Sequence, residues 1–220
     1  MKKIILILIL FLSTWFIYNN TIDEKVNYLV LGNDLSIGDN NYSLYVKDYL
    51  DSKNILGNYN TSFVDLDLRI TDLINKIKYN ESVKINNKTV GINMLLKNAD
   101  VITISIGMNE LYYKLSINNE NVYTYIKDMI NDLDILFNLI NRYNHKRVFV
   151  INYYNINNYN KDIFNYLNYY LETLCKKKNF EYVDVSEFLD NNIINYENSS
   201  NFYLNKYGNK KISQFIIEKF

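Results

Sequence analysis

Residues 28–38, YLVLGNDLSIG, run apolar from Tyr28 to Leu31 and then break into Gly32, Asn33, Asp34 and, after Leu35 to Ile37, a second glycine at Gly38. A buried strand that ends in this way delivers polar side chains to the carboxyl edge of a sheet. Open α/β sheets hold their ligands and chemistry at that edge.

Outward from this stretch, the hydrophobic pattern alternates between strand and helix. Lys25–Leu31 reads as the first strand, apolar enough to be covered on both faces. Tyr42–Leu50 reads as a helix carrying Leu44, Tyr45, Tyr49 and Leu50. Ser62–Leu66 is a short second strand, and the Thr71 hydroxyl is expected to cap a helix burying Leu73, Ile74 and Ile77. Glu81–Thr89 reads as a polar loop, and Val90–Asn98 as a short helix with Ile92, Leu95 and Leu96 on one face. Asp100–Ile106, DVITISI, is the strongest strand and ends at Gly107. Val122–Tyr143 repeats Val122, Ile126, Met129, Ile130, Leu133, Phe137 and Ile140 at helical spacing. Arg147–Tyr153 and Phe180–Val185 read as the fourth and fifth strands. Ile163–Lys178 and Lys206–Phe220 read as helices. Strands alternating with helices predict a parallel sheet covered on both faces.

The bulk composition narrows the function. A chain of 220 residues is long enough for one domain with a substantial core. Its 24 basic and 24 acidic residues cancel, which excludes the basic field a nucleic-acid partner needs. The 22 tyrosines accompany abundant Asn, Ile and Lys and read as compositional drift rather than a binding device. Without proline, turns rely on Gly, Asn and Asp. Cys175 is the single cysteine, so neither an internal disulfide nor a paired-thiolate metal site can form, and its helical setting predicts a packed thiol.

At the amino terminus, Lys2 and Lys3 precede Ile4–Tyr18, apolar except for Ser13 and Thr14. A basic start followed by an apolar core is a signal peptide or a signal anchor. The bulky run Trp15–Tyr18 offers no small-residue cleavage site, and no cysteine follows for lipid attachment. The expectation is therefore an uncleaved anchor over residues 1–20, with the lysines inside and the domain on the extracytoplasmic side of the cell membrane. A cleaved signal with a secreted domain and a buried first helix are the alternatives. Residues 21–24 form a linker, and 25–220 form the domain.

Four blocks between Tyr28 and Phe220 resemble the SGNH/GDSL hydrolase family. The first is the opening stretch, similar to G-D-S-L-[ST]-x-G, with Gly32, Leu35, Ser36 and Gly38 kept and Asn33 and Asp34 in place of Asp and the nucleophilic Ser. The second, Leu66–Leu73 (LDLRITDL), is similar to G-x-R-T-x-D-L, with Asp67 at the oxyanion glycine. The third, Ile104–Leu111 (ISIGMNEL), keeps Gly107 and Asn109 of G-x-N-D and carries Glu110 for Asp. The fourth, Asn201–Ser213 (NFYLNKYGNKKIS), is similar to D-x-x-H-P-N-x-x-G. Asn205 and Gly208 fix its register, so that Tyr203 falls on the catalytic His, Leu204 on the Pro and Ser200 on the Asp. The resemblance implies a flavodoxin-like three-layer α/β/α sandwich with a five-stranded parallel sheet, and acyl transfer by a Ser–His–Asp site without a cofactor.

Each role of that chemistry has a physical requirement. Asp34 brings a carboxylate where a hydroxyl nucleophile belongs. Tyr203 would need its pKa lowered by several units to serve as a base near neutrality. Ser200 has no charge with which to orient an imidazole, and Asp67 brings a negative charge toward a developing oxyanion. Of the oxyanion side chains only the Asn109 donor remains. His145, the only histidine, lies before the fourth strand; with about 3.3 Å of rise per residue it falls roughly 20 Å from Asp34, at the opposite edge. Ser36, the next hydroxyl, is read as bracing the turn.

The reading is a membrane-anchored, catalytically impaired domain that acts by binding or scaffolding, with an acylated or glycan ligand as candidate partner. Two alternatives stand beside it. One is an active ester hydrolase, of lipase, esterase or carbohydrate deacetylase type, rebuilt on Asp34. The other is a divalent-cation site in which Asp34, Asp67 and Glu110 converge with Asn33 and Asn109 as neutral oxygen donors, against the plainer reading that the carboxylates splay into solvent. Tyr153, Tyr154 and Asn155 are expected at the same edge, either lining a pocket or packing the end of the strand.

Overall fold

The computed structural model of the protein describes residues 25–33, 35, 37–117, 121–155, 159–190 and 204–220. In chain order its elements are β1 (Val26–Gly32), α1 (Tyr42–Ser52), β2 (Leu56–Val64), α2 (Ile70–Lys78), β3 (Ser82–Ile85), β4 (Lys88–Gly91), α3 (Ile92–Asn98) and β5 (Val101–Ser105). There follow α4 (Met108–Ile117), α5 (Val122–Tyr143), β6 (Arg147–Ile151), α6 (Lys161–Lys178), β7 (Glu181–Val183), α7 (Ser186–Leu189) and α8 (Lys206–Ile217). The expected signal segment, residues 1–20, lies outside the described residues.

Among these residues β2-β1-β5-β6-β7 form a five-stranded sheet, every neighbouring pair parallel. Helices α1 and α8 pack together on one face, while α2, α3, α5 and α6 form a contiguous layer on the other. This is the expected three-layer α/β/α sandwich with its flavodoxin-like strand order. The apolar run of β1 explains its central place: Tyr28 through Leu31 are all buried, as a strand covered on both faces requires. Each such side chain contributes about 1.5–3 kcal/mol by leaving water. The α5 stripe behaves as the spacing predicts, with Ile126, Met129, Leu133, Phe137 and Ile140 buried and Ile130 only partly so.

Two buried polar side chains of this core, Thr103 and Asn144, are matched. Thr103 in β5 shares its hydroxyl with Tyr28 and Tyr42, both at 3.0 Å. Asn144, buried in the turn before β6, donates to the Leu96 and Ala99 carbonyls and accepts from Lys146 N–H. That turn is thereby pinned to α3.

Four local expectations are corrected. The second strand is Leu56–Val64 rather than Ser62–Leu66; it is an edge strand with Asn58 and Ser62 exposed, and only Phe63 is fully buried. The segment expected to be a polar loop forms the β3–β4 hairpin instead. Asn86 and Asn87 turn it at φ 48° and 64°, the doubly left-handed geometry of a two-residue hairpin turn. Residues 108–117, given no structure by their pattern, form α4. Thr71 lies inside the first turn of α2, not at its cap. The Asp72 carboxylate accepts the Arg69 backbone N–H at 3.2 Å, and Glu110 accepts that of Ile70 at 3.0 Å.

Candidate functional site

The strand order reverses at β1, so loops leave β1 and β5 on opposite sides and open a crevice at their carboxyl ends. Close strand approach builds its floor. Gly32 has φ 134°, and a Cβ there would lie 1.8 Å from the Ser105 carbonyl oxygen, so only glycine fits. The Asn33 N–H donates to Ser105 O at 2.9 Å, and the Asp65 N–H to Gly32 O at 3.1 Å. The first and third sequence blocks therefore meet where the resemblance requires.

Asn33 is 1% exposed, and neither its Nδ2 nor its Oδ1 has a hydrogen-bond partner among the described residues. Gly107 begins α4 at φ 90°, its carbonyl accepting the Leu111 N–H at 3.1 Å. Asn109, in the first turn, donates from Nδ2 to Leu66 O at 2.9 Å, while its buried Oδ1 has no partner among the described residues. Its neighbour Glu110 binds Ile70 N–H. Burial raises the Glu110 pKa above the ordinary carboxyl value, opposed by that N–H and by Arg69. The second and third blocks are thus tied through two side chains to two backbone groups.

Asp67 is exposed, its N–H held by the Asp65 carboxylate at 3.2 Å. It borders a cleft of about 930 Å³ with Arg69, Asn109, Glu110, Tyr113 and Tyr125. The Tyr125 hydroxyl is pushed up to about 12, first by burial and then by the negative charges of Glu110 and Asp132. Among the described residues no group of three His, Cys, Asp or Glu side chains is arranged to hold a metal ion. Asp34, Ser36, Ser200 and Tyr203 lie outside the described residues.

At the β6 end, Tyr153 and Tyr154 are buried. The Tyr153 hydroxyl donates to Ile106 O at 2.9 Å, and Tyr154 O accepts the Tyr112 hydroxyl at 2.7 Å. Both pack the strand's end. Asn155 is buried too, its N–H held by the Asp190 carboxylate at 2.7 Å and its Nδ2 by Tyr159 O. His145 is exposed in the turn that precedes β6, at the amino edge, as the sequence implies.

The sequence reading missed a group of asparagines and aspartates that shape this edge. Asn152 donates to the Tyr182 hydroxyl and the Asp184 carboxylate and accepts Val185 N–H. Asn168 clamps both backbone groups of Tyr153. With asparagine so common in this chain, only its position after a strand could have drawn attention to Asn152.

No family model and no curated protein matches the chain. Solved structures do. A lipase from a goat rumen metagenome has a TM-score of 0.72 at 16% identity, over 88% of this chain and 97% of that one. The acetyl xylan esterase AlAXEase reaches 0.66 at 15%, over 88% and 99%. A family 3 carbohydrate esterase from Clostridium thermocellum reaches 0.60 at 16%, over 89% and 94%. At these identities the likeness is one of architecture: strand order, crevice and helical layers are together the fold of the SGNH/GDSL hydrolases.

Proposed function

We propose that this chain is a binding protein built on a hydrolase fold, impaired in ester hydrolysis and held by its amino-terminal segment at the outer face of a membrane. The observation that carries the reading is the position of the only imidazole. His145 is exposed at the amino end of β6, a full strand length from the crevice. A serine- or aspartate-based acyl transfer near neutral pH then lacks its usual proton acceptor. The remaining oxyanion donor is compromised as well, since one Asn109 N–H is committed to the Leu66 carbonyl.

Binding is supported by what the crevice leaves unmade. The side-chain amide of Asn33 and the Oδ1 of Asn109 are buried without partners among the described residues. Each such group costs about 1–3 kcal/mol in the free protein, which a ligand's own donors and acceptors would recover. The adjoining cleft combines the Tyr113 and Tyr125 rings with Arg69, Asp67 and Asp72. Rings beside polar side chains suit an acylated or glycan ligand. Because two of the similar folds are described as acetyl xylan and carbohydrate esterases, acetylated xylo-oligosaccharide is the first probe to use.

The test combines turnover and binding on the purified full chain. Short p-nitrophenyl esters and acetylated xylo-oligosaccharide should be hydrolysed no faster by the wild type than by Asp34→Ala. Calorimetry should register oligosaccharide binding that Asn33→Leu weakens. Turnover abolished by Asp34→Ala would overturn the reading in favour of a rebuilt hydrolase.

A further inference from the structure

We infer that the amino edge of the sheet, opposite the crevice, is a docking surface for the anionic headgroups of the bilayer that holds residues 4–18. This rests on the anchored reading proposed above and adds an orientation to it.

Cations gather in the last turns of three helices at the amino edge, while the last turn of α1 holds none. Helices α1, α3, α5 and α6 each deliver the chain to the amino end of a strand within four residues, so their last turns lie at the amino edge. Lys97 stands in the last turn of α3, Arg142 in that of α5, and Lys176, Lys177 and Lys178 in that of α6. At the carboxyl edge the first turns are mixed: Asp72 in α2, Glu110 in α4 and Asp162 in α6 stand beside Lys161 in α6 and Lys206 in α8. Helix dipoles favour one cation per last turn, but they do not require three in succession at the end of α6.

Some of these cations are already matched. Lys146 pairs with Asp100, Lys178 with Asp134, and Lys176 with Glu172. Lys97, Arg142 and Lys177 are exposed and make no ion pair among the described residues. A recess of about 310 Å³ opens at the β6–β7 side of this edge, lined by His145, Lys146 and Lys177. Its size and charge suit a phosphate headgroup.

The length of chain outside the described domain selects the occupant. Lys25 sits at the amino end of β1, and six residues separate it from Tyr18, the last of the apolar run. Six residues reach at most about 20 Å. On the anchored reading the amino end of β1 is therefore tethered within that distance of the headgroups, and the amino edge is the face that can reach them first. Cations within about a Debye length of an anionic surface, ~8 Å at physiological salt, are drawn onto it. Seating that edge turns the Asn33–Asn109 crevice outward, toward ligands arriving from the aqueous side.

The test reconstitutes the full chain in phosphatidylcholine vesicles, with or without phosphatidylglycerol, that carry a headgroup quencher. A fluorophore is attached at Asn98→Cys, at the amino edge, or at Tyr207→Cys, in the first turn of α8, 72% exposed. Seating predicts quenching at Asn98→Cys at least about twofold above that at Tyr207→Cys in anionic vesicles. The gap should shrink without phosphatidylglycerol, at about 1 M salt, where the Debye length is ~3 Å, and in the triple variant Lys97→Glu, Arg142→Glu, Lys177→Glu. Equal quenching, or a gap indifferent to lipid charge and salt, overturns the inference while leaving the anchor intact. Release of the chain by alkaline carbonate overturns the anchor and the inference together.

Discussion

The Glu110 carboxylate accepts the Ile70 backbone N–H at 3.0 Å, so the first turn of α2 is closed by a side chain from α4. Burial raises the Glu110 pKa above 4.5, more than this bond and Arg69 lower it. The folded chain therefore holds the Glu110 proton to higher pH than the unfolded chain does. Stability from this group is fully present below pH 4.5 and is lost as pH rises through the folded value. Glu110→Gln keeps an oxygen acceptor without the charge. It should match or exceed the wild type at pH 7 by no more than about 1 kcal/mol, given its partly solvated setting. The wild type should close that gap as pH falls toward 4.5, as urea titrations at several pH values would measure.

Asn33 tests whether the crevice holds a ligand at the expense of stability. Removing a buried, unpartnered amide relieves its desolvation cost. Asn33→Leu should stabilise the free protein by about 1–2 kcal/mol, read as a higher melting temperature. The same variant should lose affinity for any ligand that satisfies the amide. A destabilised variant would mean that Asn33 is matched in solution by a bound water.

Gly107 tests the crevice's geometry. At φ 90° a side chain is strained, and an added Cβ would come within 2.7 Å of the Tyr153 hydroxyl oxygen and 2.9 Å of Ile70 Cδ1. Gly107→Ala should cost about 2–4 kcal/mol by combining backbone strain with overpacking. Chemical denaturation would register the loss, and the start of α4, with Asn109, should lose protection from amide exchange.

Cys175 is fully buried, and burial pushes its thiol up to about 12. The thiolate is the reactive form. Native protein at pH 8 should resist a disulfide-exchange reagent for as long as it stays folded, and one equivalent should react in denaturing urea. Prompt labelling of the native protein would reveal opening of α6.

The sheet was legible because its strands are apolar on both faces, and that signal depends on burial alone. Leu29–Leu31 and Ile102–Ile104 show it directly. The edge strand β2 was displaced because Gly57, Asn58 and Ser62 are exposed and interrupt any apolar periodicity. Hairpin β3–β4 escaped because its turn is Asn86–Asn87 rather than the stronger Asn–Gly signal. The carboxyl-edge positions of Asn33, Asp67, Asn109 and Glu110 followed from the first three blocks. What the blocks did not reveal is how those side chains are used. That Asn109 spends a donor on Leu66 and Glu110 its oxygen on Ile70 depends on contacts across 43 and 40 residues of sequence.

The contact between α1 and α8 has a consequence for biosynthesis. The Tyr42 N–H at the start of α1 donates to Asn209 Oδ1 in α8, and Arg147 at the head of β6 donates to the Lys219 carbonyl. Part of the first helix's interior surface is thus finished only by the last. A nascent chain cannot close this layer until residue 217 or beyond has left the ribosome.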